Sequence, residues 1–349
     1  MSLQNINLDP RFTKIIIATK QFAMAPLIVV DVGARGGYEK FWDIWGDQIN
    51  ILGFEADEAE CERLNTNKTK MSIRYFPNAL DSRKGKRNFY VTGNHASSGF
   101  YLPDERFCER LYGDINLAVE KTIQLNTIDF DSFACDNNIC AVDFIKLDTE
   151  GSELDILKGF IGTLKKSVLG ISIEVEFLQL HIQQPVFSDV DAYLRDMGFI
   201  LFDLSVYRHA RKGIPIATSQ PNSSPVERGQ VIWGQALYLR DGAKEIEGTQ
   251  IIEAGWNDLR ILKLTSIMEM FNLNDCAIEL LQVAKRNNYL KNLNIDIYIK
   301  ELMPDIFNHK KAIAWAKKSV RKILPRTFIP VMYNMLIRTR DFINEIINI

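Results

Sequence analysis

Paired cysteines are missing from this sequence. Its five cysteines, Cys61, Cys108, Cys135, Cys140 and Cys276, include no CxxC pair. That excludes a zinc ribbon and offers no disulfide framework, and such scattered thiols suit a reducing compartment. Long apolar runs are missing too: no stretch of about 18 uncharged apolar residues occurs, so no membrane-spanning helix is expected. The opening residues MSLQNINLDPRF lack a basic region followed by an apolar core, so no signal peptide is expected either. Neither sign of charge dominates. Lys and Arg number 42 against 44 Asp and Glu, a net charge of -2, which gives no reason to expect a nucleic-acid partner. There is no internal repeat. What remains is a 349-residue chain, 46% hydrophobic and 25% charged, ordinary for a globular protein of one large domain or two smaller ones.

A leading helix is expected over residues 11–25, stopped by Pro26. Three buried strands follow at 27–31 (LIVVD), 50–55 (NILGFE) and 73–76, with helical stretches at 38–48 and 59–66 between them. Continuous apolar strands alternating with helices indicate right-handed βαβ units and a doubly wound parallel sheet. Strands at 87–92 and 122–128 flank a looser stretch, 93–113. The next buried strand is 142–147 (VDFIKL), leading into a helix with Leu154, Leu157, Ile161 and Leu164 on one face. Ser152 and Asp155 suit a capping box at its start. A strand at 168–175, a helix capped by Ser188 and ended by Gly198, and two final strands at 199–206 and 230–239 complete the α/β part. Residues 241–248 form a polar linker. Helices are expected at 259–270, 275–287, 312–324 and 330–347. The chain thus divides into an α/β domain over 1–244 and a helical region over 245–349.

The first strand ends in Asp31 and runs into Gly33, Ala34, Arg35, Gly36 and Gly37. Glycines let a backbone turn tightly and approach a ligand without a clashing Cβ. The second strand ends in Glu55, about 20 residues on, where a carboxylate can accept hydrogen bonds from the ribose hydroxyls of an adenosine. Two cofactors compete. A dinucleotide wants Gly-x-Gly-x-x-Gly, but Arg35 and Tyr38 occupy the second and third glycine places. S-adenosylmethionine (SAM) has no phosphate, and Asp31 offers its carboxylate to the ammonium at the amino-acid end. Ala56, after Glu55, and the Asn78-Ala79 pair after the third strand are candidates for the adenine side.

A second motif runs from Asp143 to Gly159 (DFIKLDTEGSELDILKG). A buried strand delivers Asp148 and Glu150 to its carboxyl end, the edge where open α/β sheets bind ligands. Buried carboxylates are costly unless they meet a partner. Glu153 and Asp155 fall in the first turn of the following helix, where acids suit the dipole. The glycine loop, the Gly53-Phe54-Glu55 strand end, Thr127-Ile128-Asp129 and above all the segment 145–159 resemble the FkbM family of methyltransferases over residues 29–176. The resemblance implies the class I methyltransferase fold, Rossmann-like and doubly wound, with a final antiparallel strand, and here a C-terminal helical region besides. It implies SAM as cofactor and O-methylation of a sugar, polysaccharide or other hydroxylated metabolite. Arg35 stands where an asparagine is more usual in the family.

Methyl transfer to a hydroxyl needs positioning, and a base or a metal to take or polarise the proton. Candidates at strand ends are Asp148, Glu150, Glu174, Glu176 and His181. Glu174 and Glu176 share one strand face because the strand period is two, and imidazole is suited to base work near neutrality. A carboxylate set can also hold Mg²⁺, but no sequence-adjacent ligand pattern demands it, so no metal is expected. Ser97-Ser98-Gly99 is placed as a candidate lid, and 93–113 with 208–229 as walls of an acceptor pocket. Residues 300–349 hold ten Lys or Arg against four acids and mix them with apolar residues. This suits a packed helical cap, or a helix lying on an anionic surface. A cytoplasmic protein, with contact to the inner face of a membrane as the further expectation, fits these features. A non-catalytic module of the same fold is the alternative, and a nicotinamide-dependent oxidoreductase is disfavoured by Arg35 and Tyr38.

Overall fold

A computed structural model describes residues 6–66, 71–111, 117–213, 229–248, 253 and 255–303. In chain order the elements are α1 (Arg11–Ala18), β1 (Leu27–Val32), a 3₁₀ stretch (Lys40–Gln48), β2 (Ile49–Phe54), α2 (Glu58–Asn65), β3 (Ser72–Phe76), β4 (Ala79–Leu80), β5 (Gly85–Thr92) and α3 (Glu105–Cys108). Next come β6 (Val119–Ile128), α4 (Phe130–Asp136), β7 (Phe144–Leu147), α5 (Glu153–Lys158), α6 (Ile161–Lys166) and β8 (Gly170–Glu176). The described chain ends with α7 (Phe187–Asp196), β9 (Phe199–His209), β10 (Gln230–Arg240), α8 (Gly242–Glu247), α9 (Asp258–Met270), α10 (Asn274–Arg286) and α11 (Ile295–Leu302).

Seven strands form one sheet in the order β3-β2-β1-β7-β8-β10-β9. β10 runs antiparallel to both its neighbours, β8 and β9, while β1 to β3, β7 and β8 pair in parallel. This strand order, reversing beside β1 and closing on one antiparallel strand, is the class I methyltransferase sheet. It puts a topological switch point between β1 and β7, where a ligand crevice opens at the carboxyl ends. A smaller sheet, β4-β6-β5, projects from the connection after β3. Its β5 and β6 form an antiparallel pair.

The alternation of strand side chains makes two cores. Val29, Ile51 and Phe144 point to one face and are covered by α1, the 3₁₀ stretch and α9 to α11. Val30, Val32, Ile145 and Leu147 point to the other and are covered by α4 to α7. Both faces of β8 are buried along its whole length, which is why it reads as an unbroken apolar run around its two glutamates.

Several local expectations are corrected. The capping box of Ser152 and Asp155 does not form: Ser152 Oγ donates instead to Thr149, and Asp155 pairs with Arg87. The single helix expected after it is two, α5 and α6, broken at Gly159 and Phe160. A Cβ at Gly159 would lie 2.2 Å from the carbonyl oxygen of Asp81. α7 starts at Phe187, with Asp189 rather than Ser188 accepting from the backbone N–H of Val186. The polar linker at 241–248 contains helix α8, capped by Asp241. The boundary expected near residue 245 falls inside a compact unit that continues to Leu302, because α9 to α11 cover one face of the sheet. The helices expected at 312–324 and 330–347 lie outside the described residues. No helix among the described residues is long and apolar enough to cross a membrane.

Candidate active site

A cavity of about 900 Å³ opens at the carboxyl ends of β1, β2, β7 and β8. The lining includes Gly33, Arg35, Glu55, Ala56, Asn78, Ala79, Asp148, Glu150, Glu174, Glu176 and His181. Elements far apart in sequence therefore converge on one space. Asp31, Ala34, Gly36 and Gly37 are not among its lining residues.

The glycine loop does something different from what the sequence suggests. Gly33 has φ +77°, and a Cβ there would stand 1.9 Å from the carbonyl oxygen of Asp148. Its freedom serves the close approach of β1 and β7, where the Asp148 N–H donates to Val32 O. Gly36 donates its N–H to Glu60 on α2, so this amide is engaged within the protein. Arg35 pairs with Asp57 at 2.7 Å. Its main contact is thus the N-cap residue of α2, at the cavity wall. Asp31 is buried and faces Lys146 at 3.2 Å. Burial raises its pKa, and Lys146 opposes the rise.

Lys146 is the organiser that sequence reading overlooks. Its ammonium lies 3.2 Å from Asp31, 3.5 Å from Asp148 and 3.3 Å from the carbonyl of Gly33, to which it donates. Burial works against its charge, but Asp31 and Asp148 outweigh it and raise its pKa. The signal was present: within VDFIKL the lysine interrupts an apolar strand and shares a face with Asp148.

Beyond β7 the chain turns sharply. Glu150 has φ +58° and Gly151 φ +101°, and a glutamate held in the left-handed region is a strained conformation that the surrounding contacts must hold. Glu153 staples this turn, its Oε1 accepting from the N–H and the hydroxyl of Thr149. Its expected role in helix capping is therefore joined to the loop that presents Glu150. Burial, then the charges of Asp148 and Glu153, push Glu150 up to about 8. Burial foremost pushes Glu153 up to about 7. Glu174 and Glu176 are raised well above the ordinary carboxyl range, by burial first and by their acidic neighbours second. Carboxyl oxygens of Asp148, Glu150 and Glu174 lie within 4.8 Å of one another.

His181 is 1% exposed. Its Nδ1 meets Gln184 Oε1 at 2.7 Å, and its Nε2 has no hydrogen-bond partner among the described residues. If Gln184 accepts, Nδ1 carries the proton and Nε2 is left as a basic edge. Burial lowers the pKa of the ring. Gln184 had no sequence signal as an orienting residue.

Glu55 is buried at the other end of the cavity, with Oε1 accepting from the Asp57 N–H. Burial raises its pKa. Phe54, Leu80 and Ile156 supply apolar wall beside it. Asn94 to Ser98 and Phe100 form a further wall, which places the Ser97-Ser98 segment at the site. Arg87, on β5, ties the small sheet to helix α5 by pairing with Asp81 at 3.1 Å and with Asp155 at 3.0 Å. Trp233 lines the cavity and stacks on Tyr207 at 3.9 Å. Parts of the expected acceptor segments, residues 112–113 and 214–228, lie outside the described residues.

Comparison with known proteins gives this geometry a context. Residues 31–201 match the family described as Methyltransferase FkbM domain. No curated protein matches the chain. Similar solved structures include methyltransferase FkbM from Methylobacillus flagellatus KT, with 14% identity and a TM-score of 0.34, covering 61% of this chain and 43% of that one. This chain thus spans less than half the length of that protein. Another is the magnesium protoporphyrin IX methyltransferase of Synechocystis PCC 6803 with bound SAM, with 8% identity, a TM-score of 0.32 and coverage of 67% and 80%. A third is the N-terminal domain of EvdMO1 with SAH bound, with 12% identity, a TM-score of 0.30 and coverage of 67% and 82%. The family match begins at Asp31 and spans the loop, the acidic segment and β8, and residues 31–201 accordingly form a domain of the FkbM methyltransferase family.

Proposed function

We propose that this methyltransferase moves the methyl group of SAM to a hydroxyl of a sugar, a polysaccharide or another hydroxylated metabolite. One observation carries the reading: a single cavity joins Glu55, a ribose-type acceptor, to a proton-accepting set of Asp148, Glu150, Glu174, Glu176 and His181. The residues present fit SAM. Glu55 has one oxygen held by Asp57, leaving the other for a ribose hydroxyl. Ala56, Asn78 and Ala79 stand on the same side, between the apolar walls of Phe54 and Leu80, which suit an adenine ring. Gly33 and Arg35 border the space where the amino-acid end would lie, with Asp148 opposite to receive its ammonium. Asp31 acts in this reading through Lys146, holding Asp148 and the loop in place.

The bound SAM supplies an electrophilic methyl on sulfur. The chain's own residues do the rest. In this reading His181 Nε2 takes the hydroxyl proton as oxygen bonds to the methyl carbon and the carbon–sulfur bond breaks, releasing S-adenosylhomocysteine (SAH). Gln184 keeps the ring in the tautomer that leaves Nε2 free to accept. Phe89, Phe100 and Trp233 offer aromatic faces on which the apolar face of a sugar ring can pack. The setting is cytoplasmic in this reading. The basic stretch that would contact an inner membrane face falls, past residue 303, outside the described residues. The test is to incubate the protein with SAM and a panel of simple glycosides, and to follow SAH release. Turnover that depends on a glycoside hydroxyl is expected. Turnover with amine or nucleic-acid acceptors, and none with hydroxylated ones, would sink the reading.

A further inference from the structure

The geometry points to a divalent-cation site in this cavity: Asp148, Glu150 and Glu174 together hold a hard metal ion of the Mg²⁺ or Mn²⁺ type, which in turn receives the hydroxyls of the acceptor. This rests on the reading of the cavity as the methyl-transfer site, and deepens it.

Three facts support the site. First, carboxyl oxygens from these residues lie within 4.8 Å of one another, close enough for one ion with oxygen ligands at about 2.1–2.5 Å to touch all three. The ligands come from the turn after β7 and from the adjacent strand β8 rather than from one short motif. That is why no sequence-adjacent pattern announced them. Second, the Glu174 Oε2 atom is buried with no hydrogen-bond partner, in a residue only 8% exposed. A buried carboxylate oxygen without a donor is missing an interaction. Third, His181 lines the same cavity, is 1% exposed, and leaves Nε2 without a partner. An unpartnered ring nitrogen and an unpartnered carboxyl oxygen thus belong to residues lining one cavity, which is what a bound hydroxyl needs. Lys146 is the cation paired with Asp148, and it sits on the Asp31 side. Among the described residues no cation is paired with Glu150, Glu174 or Glu176.

All-oxygen donors select hard ions over zinc or copper. Three carboxylates do not fill an octahedron, so further positions remain for water or for two neighbouring hydroxyls of a sugar. An ion there lowers the pKa of a bound hydroxyl and fixes it in line with the methyl group. The proton leaves to His181 Nε2, oxygen takes the methyl carbon, and the sulfur keeps the electron pair of the broken bond.

Mn²⁺ binding to the purified chain, read by electron paramagnetic resonance without SAM or acceptor, tests this directly. The unsubstituted chain should take up one Mn²⁺, displaced by excess Mg²⁺. Glu174→Gln and Glu150→Gln should each weaken uptake at least about tenfold, while Glu105→Gln, on α3 away from the cluster, should leave it unchanged. SAH binding is measured on the same samples by calorimetry. SAH binding without Mn²⁺ uptake overturns the metal site and leaves the methyl-transfer reading standing. Loss of SAH binding with Mn²⁺ uptake intact overturns that reading instead. Equal Mn²⁺ uptake in all three variants means a surface site, and also overturns the proposal.

Discussion

The two ends of β7 handle buried charge in opposite ways. At the amino end, Asp143 is buried and has a cation of its own. Lys263 of α9 reaches it at 2.6 Å, and the Ile28 N–H donates to the same carboxylate. The remaining reach of that lysine is used on the Pro26 carbonyl. At the carboxyl end, Asp148, Glu150, Glu153, Glu174 and Glu176 crowd one space, and Lys146 is the lysine that pairs there, with Asp31 and Asp148. A buried carboxylate paired with a lysine and a backbone N–H is structure. A surplus of buried carboxyl groups is costly as anions, and a fold sustains it by raising their pKa values, as here, or by binding a partner. The contrast separates the framework of this protein from its working edge.

The largest effect expected from breaking that contrast is at the matched end. Lys263→Ala leaves Asp143 buried without its cation and should cost about 3–5 kcal/mol of stability, read as a lowered midpoint in urea unfolding. A loss below about 1 kcal/mol would mean that the pair is not a structural fixture. At the other end substitution should hurt activity rather than folding. His181→Asn should reduce turnover about 100-fold or more and leave SAH affinity nearly unchanged; unaltered turnover removes His181 from the reaction. The smallest effect has the opposite sign. Glu174→Gln in metal-free buffer removes one surplus carboxylate and should stabilise the chain by about 1 kcal/mol, seen as a rise in unfolding temperature. A clear drop would show that Glu174 is matched by a partner after all.

The pH dependence sharpens the same distinction. Burial lowers the His181 pKa from 6.5, so the folded protein favours the neutral ring. This group's contribution to stability is then fully present above pH 6.5 and is lost as pH falls through the lowered folded value. As the proton acceptor it should give kcat/KM an acid limb below pH 6.5, and in His181→Asn that limb should vanish from the residual activity. The limb staying in place in the variant would assign it to one of the carboxyl groups Glu174 or Glu176, which line the cavity with the ring.

Much of this was legible in the sequence. The continuous apolar runs of β1, β2, β7 and β8 carry their burial openly, and Glu55 and Asp148 follow from where those strands end. What escaped depends on register and on crossing contacts. Asp31 pairs with Lys146 because β1 and β7 lie side by side with those two residues opposite each other, which no local pattern states. Gly33 gives way to the Asp148 carbonyl just past the neighbouring strand β7, not to a ligand. Arg87 acts through Asp155, a partner that only the fold brings near, and Gln184 meets His181 through a local turn that carries no periodic signal. Helix α11 was unread because its eight residues are too short for periodicity to separate them from a loop. Conversely, Ser152 and Asp155 matched a capping pattern, but Thr149 in the same turn claimed the first and Arg87 across the fold the second.

The measurement that reaches the central claim most directly is calorimetric titration of the chain with SAH, repeated with NAD and with Glu55→Ala. The account predicts one SAH site, no binding of NAD, and SAH affinity weakened at least about tenfold by the substitution. A folded chain that binds NAD, or that ignores SAH altogether, would contradict it.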